Sequence, residues 1–222
     1  MASSAHVNSL VRLIRSSGIV VRPGNVHSYK HMGATLADAV LQAGLNYNAV
    51  VRPRVLRFLQ KFPEATTTSK VLDYVHALGA EQLLNWKDSE KPARFVAVAN
   101  FFYVRSVETE ECLKGWLQKT DTDSQSELRQ VRGIGPKTVD YLKMLVGLPA
   151  VAVDRHIKLF VKQSGFASIN YAEIRSVVEM AADRLNVDRS SLDYAIWNYV
   201  SQSMTPSRVT QDCQTSYASS RS

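Results

Sequence analysis

Helical periodicity runs through almost the whole chain and limits its fold more than any other feature. Leu10, Leu13 and Ile14 recur on one helix face, as do Leu36, Val40 and Leu41. Val55, Leu56 and Leu59 follow, then Val71, Leu72 and Val75, then Phe95, Val98, Phe101 and Phe102. The pattern continues through Leu142, Leu145 and Val146, through Ile157, Phe160 and Val161, and through Ile174, Val177, Val178 and Ala181. It ends with Leu192, Ile196, Trp197 and Val200. Turn chemistry marks the breaks: Pro23-Gly24, Gly33, Pro63, Gly79, Gly133 to Pro136, Gly147 to Pro149, and Gly165. No stretch alternates as a strand would, and Ile19 to Arg22 is at most a short extended piece. The spacing therefore predicts an all-α fold.

With 222 residues, 45% of them hydrophobic, the chain can bury one large core or two smaller ones. Its formal charge of +7 favours a polyanionic partner, nucleic acid first and an anionic membrane surface second. No apolar run is long enough to span a bilayer. Arg12 and Arg15 interrupt the apolar residues near the N-terminus, which excludes a secretory signal. That stretch, Arg- and Ser-containing and free of acids, predicts a surface helix and is also compatible with an organelle transit peptide. The expected location is intracellular: cytoplasm, nucleoid or nucleus. Cys112 and Cys213 are too few for a four-cysteine metal or iron–sulfur site, and they suggest a reducing compartment. Asp121 and Asp123 lack partners at metal-ligand spacing, so no metal and no cofactor are expected. From about Thr205 the chain turns polar, predicting a disordered tail over 205–222.

The segment from Val131 to His156, VRGIGPKTVDYLKMLVGLPAVAVDRH, carries the chemistry. Asp123 or Ser124 can cap a helix running to about Val131, and Arg132-Gly133-Ile134-Gly135 is then a turn. Its glycines permit positive φ and close backbone approach, and Ile134 plugs the turn into the core. Pro136 suits the first position of the next helix, whose free amides form an anion site. On duplex DNA such a turn grips a phosphate without reading sequence. An ordinary tight turn between packed helices is the plainer alternative.

Lys137 stands in the first turn of that helix, where the dipole eases its deprotonation, and only a neutral amine attacks carbon. Asp154 opens the next helix and suits an N-cap. It also suits a carboxylate facing Lys137, one that accepts the ammonium proton and stabilises an oxocarbenium-like sugar. His156 is read as structural and Trp197 as core. Arg132, Lys143, Arg155, Lys158 and Lys162 can form a basic rim around the turn, with Arg52, Arg54 and Arg57 as a second basic site. Phe101-Phe102-Tyr103 is read mostly as core, with one ring available to stack on a base.

These residues resemble the helix-hairpin-helix (HhH-GPD) DNA glycosylase superfamily, its endonuclease III group. The family pattern is a Leu-Pro-Gly-Val-Gly-x-Lys-Thr-like hairpin, then Gly-x-Pro, then Val-Asp-x-His. Here it reads Val131-Arg132-Gly133-Ile134-Gly135-Pro136-Lys137-Thr138, Gly147-Leu148-Pro149, and Val153-Asp154-Arg155-His156. The specific match covers Leu128 to Phe160, and a weaker helical likeness covers Ala34 to Gln202. The resemblance implies two lobes. Residues 33–146 would form a six-helix barrel lobe holding the hairpin at about 124–146, and residues 1–32 with 147–204 would form a second bundle. It implies that Lys137 forms a Schiff base with C1′ of the deoxyribose and that Asp154 assists base loss, giving a glycosylase with lyase activity. Arg132, Gly133, Ile134, Gly135, Thr138, Arg155 and Lys158 would hold the DNA backbone. The partner would be double-stranded DNA with a damaged or modified base, bound by a monomer, with oxidised pyrimidines as the default base.

The chain departs from that pattern in four places. The four-cysteine iron–sulfur loop is absent, so no cluster is expected. Asp154 follows Lys137 by 17 residues, one fewer than in endonuclease III. Arg132 replaces the hairpin proline. The glutamine that fills the gap left by a flipped base is not evident, and Gln42, Leu45, Asn46 and Tyr47 are the candidates for pocket or wedge. Two rival readings stay open: a monofunctional glycosylase in which Asp154 activates water, and a non-catalytic helix-hairpin-helix DNA-binding module.

Overall fold

The computed structural model describes residues 3–22, 28–119 and 122–203. The polar ending, Pro23-Gly24 and Asp121 lie outside the described residues. Among those described there are twelve α-helices and no strand, so the all-α expectation holds.

The helices fall into two hydrophobic clusters. Buried around one core are α2 (Met32–Leu41), α3 (Arg52–Lys61), α4 (Thr68–Leu78), α5 (Ala80–Leu84), α6 (Glu90–Tyr103), α7 (Glu110–Lys119), the end of α8 (Thr122–Leu128), and α9 (Pro136–Leu145). α1 (Ser4–Ser16), α10 (Arg155–Gln163), α11 (Tyr171–Leu185) and α12 (Arg189–Ser203) share the other. The N-terminal helix packs on α11 through Val7, Leu10, Val11 and Ile14, one face of its turns. Ser3 caps it, accepting from the His6 amide, while the His6 ring accepts from the Ser3 amide.

Every residue of α2 is buried. Its sequence, MGATLADAVL, is apolar apart from Thr35 and Asp38, and such a helix lies at the centre of its cluster rather than on the surface. α3, α4, α6 and α9 surround it. Gly33 was expected to mark a break, but it lies inside α2 as a packing contact. A Cβ there would meet Phe58 ring carbons at 2.6 and 2.9 Å. His31 starts the helix, accepting from the Ala34 amide at 3.1 Å while its other ring nitrogen meets Phe62 O at 2.8 Å.

After α2 the chain turns through Gly44 (φ 77°) into a π-helical turn, Tyr47–Val51, that runs directly into α3. Asn46 caps it by accepting from the Ala49 amide. Pro53 follows near the start of α3, a position where its missing N–H does no harm.

The run from Ala150 to Val153 links the clusters and is buried throughout. Buried amides need partners, and helices of the other cluster supply them. Ala150 N donates to Ser190 Oγ (3.0 Å), Ala152 N to Asp193 Oδ2 (2.9 Å), and Val153 N to the Tyr171 hydroxyl (3.3 Å). Asp140 on α9 is buried too; it accepts from Tyr171 (2.8 Å) and pairs with Arg175 (3.1 Å) on α11.

Several expectations need correction. α8 begins by Thr122, so Asp123 and Ser124 lie within the helix rather than capping it. It ends at Leu128, where Gln130 and Val131 tighten to bonds three residues back. Lys143 does not join an outward rim; it turns to Asp140 at 3.4 Å. Arg54 and Arg57 are drawn inward, donating to carbonyls of Val50 and Asn85 and of Gln82 and Leu83, respectively. Carbonyls at a helix C-terminus carry partial negative charge and accept from guanidinium groups.

Candidate active site

The hairpin forms as its glycines require. Gly133 has φ +83°, and Ile134 is 4% exposed, buried in the first cluster. Gly135 is extended and caps α9, with Pro136 at its start. Behind the turn the Arg94 guanidinium donates to Arg132 O at 3.2 Å, and a Cβ on Gly133 would overlap it at 2.1 Å. Arg132 points outward, paired with Glu90 at 3.3 Å. Thr138 is buried and its amide donates to Gly135 O, so neither its side chain nor its amide is offered to a backbone phosphate. Arg155 and Lys158 are exposed on α10.

Lys137, one residue into α9, lines a cavity of about 880 Å³ between the two clusters. It donates to Gln42 Oε1 at 2.5 Å. Gln42 is buried at the end of α2, and Lys91 pins that end by donating to the carbonyls of Val40, Leu41 and Ala43. Burial pushes the Lys137 ammonium below its usual range, while Asp154, Asp193 and Asp38 pull the other way and Arg155 adds to the depression.

Asp154 does what its sequence position suggests. It caps α10, with Oδ1 accepting from the His156 and Ile157 amides at 2.8 and 3.0 Å, and Oδ2 lies 2.8 Å from His156 Nδ1. Both oxygens are engaged, and the residue does not line the cavity. Asp193 on α12 does line it. Its Oδ2 takes the Ala152 amide, and its pKa rises far above the usual carboxylate range because of burial and the neighbouring Asp154.

Four tyrosines and a tryptophan complete the walls. Tyr29, Tyr47 and Tyr141 stand on the side of the first cluster, Tyr194 and Trp197 on the other. The first three donate to Asp38: Tyr29 at 2.7 Å and Tyr47 at 3.3 Å to Oδ2, and Tyr141 at 3.2 Å to Oδ1. Asp38 is wholly buried; burial pushes it up to about 6, against the pull of the three hydroxyls and of Lys137. Trp197, expected in the core, is half-buried at the cavity. There Tyr47 meets it edge-on at 6.1 Å, His156 edge-on at 6.1 Å, and Tyr194 stacked at 6.0 Å. None of Phe101, Phe102 and Tyr103 lines the cavity; the first two pack on Trp116.

The four pocket-or-wedge candidates all reach the cavity. Gln42 and Tyr47 are held there by Lys137 and Asp38, Leu45 packs on the first core, and Asn46 is exposed at the π-turn. Sequence reasoning missed Asp38, Asp193, Tyr29 and Tyr141. Asp38 had a legible signal, a carboxylate in an otherwise apolar ten-residue helix. Among the described residues, no group of three or more His, Cys, Asp or Glu could hold a metal ion. No described helix is long and apolar enough to cross a membrane.

Residues 9–201 match the model of a family described as Domain of unknown function (DUF8548). The chain belongs to this family. No curated protein matches it. Among solved structures, the DUF8548 chain is similar to the H. pylori 3-methyladenine DNA glycosylase (MagIII) bound to 1,N6-ethenoadenine. That match has a TM-score of 0.59 and 17% identity, covering 91% of this chain and 99% of that one. A Methanocaldococcus jannaschii 8-oxoguanine glycosylase/lyase in complex with DNA also matches, with a TM-score of 0.48 and 16% identity over 86% of this chain and 87% of that one. At 17% identity the H. pylori likeness shows a common fold: this DUF8548 member has the all-helical architecture of a helix-hairpin-helix glycosylase.

Proposed function

We propose that this DUF8548 protein is a DNA glycosylase that also cleaves the abasic site. The observation that carries the reading is Lys137. Its amine lies at a cavity of ligand-binding size, in the first turn after a Gly-x-Gly hairpin, with its charge weakened by burial. The fold held in common with a 3-methyladenine DNA glycosylase supports DNA as the partner. In this reading residues 33–146 and residues 1–32 with 147–204 act as two lobes, with the boundary moved so that Tyr29, His31 and Met32 belong with the first, and the protein works as an intracellular monomer. The hairpin from Arg132 to Gly135, with Arg155 and Lys158, holds the backbone of duplex DNA, and the flipped nucleotide enters the cavity.

Neutral Lys137 attacks C1′ with its lone pair. The bond from C1′ to the base breaks, and its electron pair leaves on the base. Loss of a proton from the new amine and opening of the sugar give the Schiff base, and removal of a C2′ proton then expels the 3′ phosphate. Asp154 acts through its charge, because its oxygens are taken by amides and His156. Asp193 also lines the cavity, with its Oδ2 held by the Ala152 amide.

Borohydride trapping on duplexes carrying a panel of damaged and modified bases tests this. The expected result is a covalent protein–DNA adduct that Lys137→Gln abolishes. Trapping that persists unchanged in that variant overturns the assignment of Lys137. Base release by the wild type without strand scission favours the monofunctional rival. Strong, salt-sensitive duplex binding with no base released from any lesion favours a binding module.

A further inference from the structure

Resting on the reading of the cavity as a base site, we propose that Tyr29, Tyr47 and Tyr141 form an acceptor-only wall, oriented by Asp38, that selects bases bearing an exocyclic amino group. A phenol hydroxyl has one proton to give and lone pairs to receive with. Here all three hydroxyls lie within reach of one carboxylate, at 2.7, 3.3 and 3.2 Å, and Tyr47 also bonds to Tyr29 and Tyr141, so the three protons are used inside the cluster. An ionised carboxylate can only accept, so it dictates the direction of each O–H. The phenols line the cavity while Asp38 lies behind them, wholly buried. Any hydrogen bond a hydroxyl makes to a ligand in the cavity is therefore made through a lone pair not already used within the cluster.

An amino group has two N–H bonds to give, and a cluster of neighbouring acceptors suits it. A carbonyl in the same place would set oxygen against oxygen and leave buried acceptors unpaired, which is where hydrogen-bonding sites discriminate most. The wall thus favours an aminopurine or aminopyrimidine over its deaminated or oxo counterpart.

Packing alone does not call for this cluster. Burying a carboxylate in an apolar helix is costly, and alanine or phenylalanine would fill the space without that cost. Instead, tyrosines from the segments before and after α2 and from α9 converge on Asp38 in α2. Although burial lifts Asp38 to about 6, it is mostly ionised at neutral pH, and the orientation of the hydroxyls holds there.

Calorimetric titration of the full chain with free bases tests the wall without any chemistry. Adenine is compared with hypoxanthine, and cytosine with uracil. The amino member of each pair is expected to bind at least about tenfold more tightly. Asp38→Asn turns an N–H toward the phenols and frees a hydroxyl proton for the cavity, so the ratio should fall toward one. If that variant does not fold by circular dichroism, Tyr47→Phe, which removes one acceptor, should lower the ratio instead. Equal binding within the pairs, preference for the oxo member, or no binding of any of the four overturns the proposal. So does a ratio unchanged in the folded variant. Discrimination among free bases with no base released from any DNA sinks the glycosylase reading and leaves the wall standing. Release from DNA with no preference for amino bases does the reverse.

Discussion

On one side of the cavity Asp38 is ringed by three phenol hydroxyls and closed off from water. On the other, Asp154 holds the start of α10 and Asp193 takes the Ala152 amide. All three act on the charge of Lys137, yet their surroundings give them different chemistry. Asp38 receives only donated hydroxyls and serves to orient them. Asp154 is held by two backbone amides and a histidine, which fixes its charge in place. Asp193 keeps contact with the cavity, and burial together with the neighbouring Asp154 lifts its pKa well above the usual carboxylate range, favouring its neutral form. A carboxylate's role here follows from the donors that surround it, not from its nearness to the lysine.

That contrast can be broken first at Asp154. Asparagine is as good an N-cap as aspartate, so Asp154→Asn should keep the melting temperature within a few degrees. With the charge removed, single-turnover base release should fall on the order of 10²–10³-fold. A variant that melts early but releases base normally would make Asp154 structural only.

Asp38 sharpens the other side. Its folded pKa is raised, so the folded state binds the proton more tightly than the unfolded chain does. The resulting stability is fully present below the unfolded value of 3.8 and is lost as pH rises through about 6. Relative to Asp38→Asn, the wild type should gain up to about 3 kcal/mol in urea unfolding between about pH 7 and pH 4. Parallel pH profiles for the two proteins would show that Asp38 is not held as described.

Lys137 should report the burial that both walls impose. Formation of the trapped adduct should rise about tenfold per pH unit while the amine is mostly charged. It should level off below the ordinary lysine value of 10.5, because burial lowers the pKa. A rise continuing past that value would mean the amine is not desolvated.

The smallest expected effect separates outward from inward cations. Removing Arg155 or Lys158 should reduce the salt slope of duplex binding by about 1 each. Removing Arg57 should leave the slope unchanged and cost about 1 kcal/mol of stability through its lost bonds to Gln82 and Leu83.

Much of the hairpin was legible in sequence because its parts are local. Gly133 needs positive φ, Pro136 needs a helix start, and Ile134 between glycines needs a core, all within a few residues. Asp154 as a cap is equally local. Trp197 and the inward arginines were misread for the opposite reason: a helical pattern records which positions are apolar or charged, not which neighbour each will meet. Trp197 looked like core by spacing, yet its helix face opens on the cavity. Arg54 and Arg57 looked like a basic surface until α5 placed its carbonyls beside them.

By itself the sequence determined an all-α chain, a Gly-x-Gly hairpin and a lysine at the head of the following helix, because periodicity and turn chemistry act over short stretches. Only the tertiary structure decided that Lys137 meets Gln42, that three tyrosines turn their protons to Asp38, and that Asp193 rather than Asp154 reaches the cavity. Lys137–Gln42 and Tyr141–Asp38 join residues about a hundred apart in the chain, while Tyr29 and Tyr47 reach back across the ends of α2 from nine residues away. Their geometry depends on how α2, α9 and α12 pack, and no local spacing encodes it.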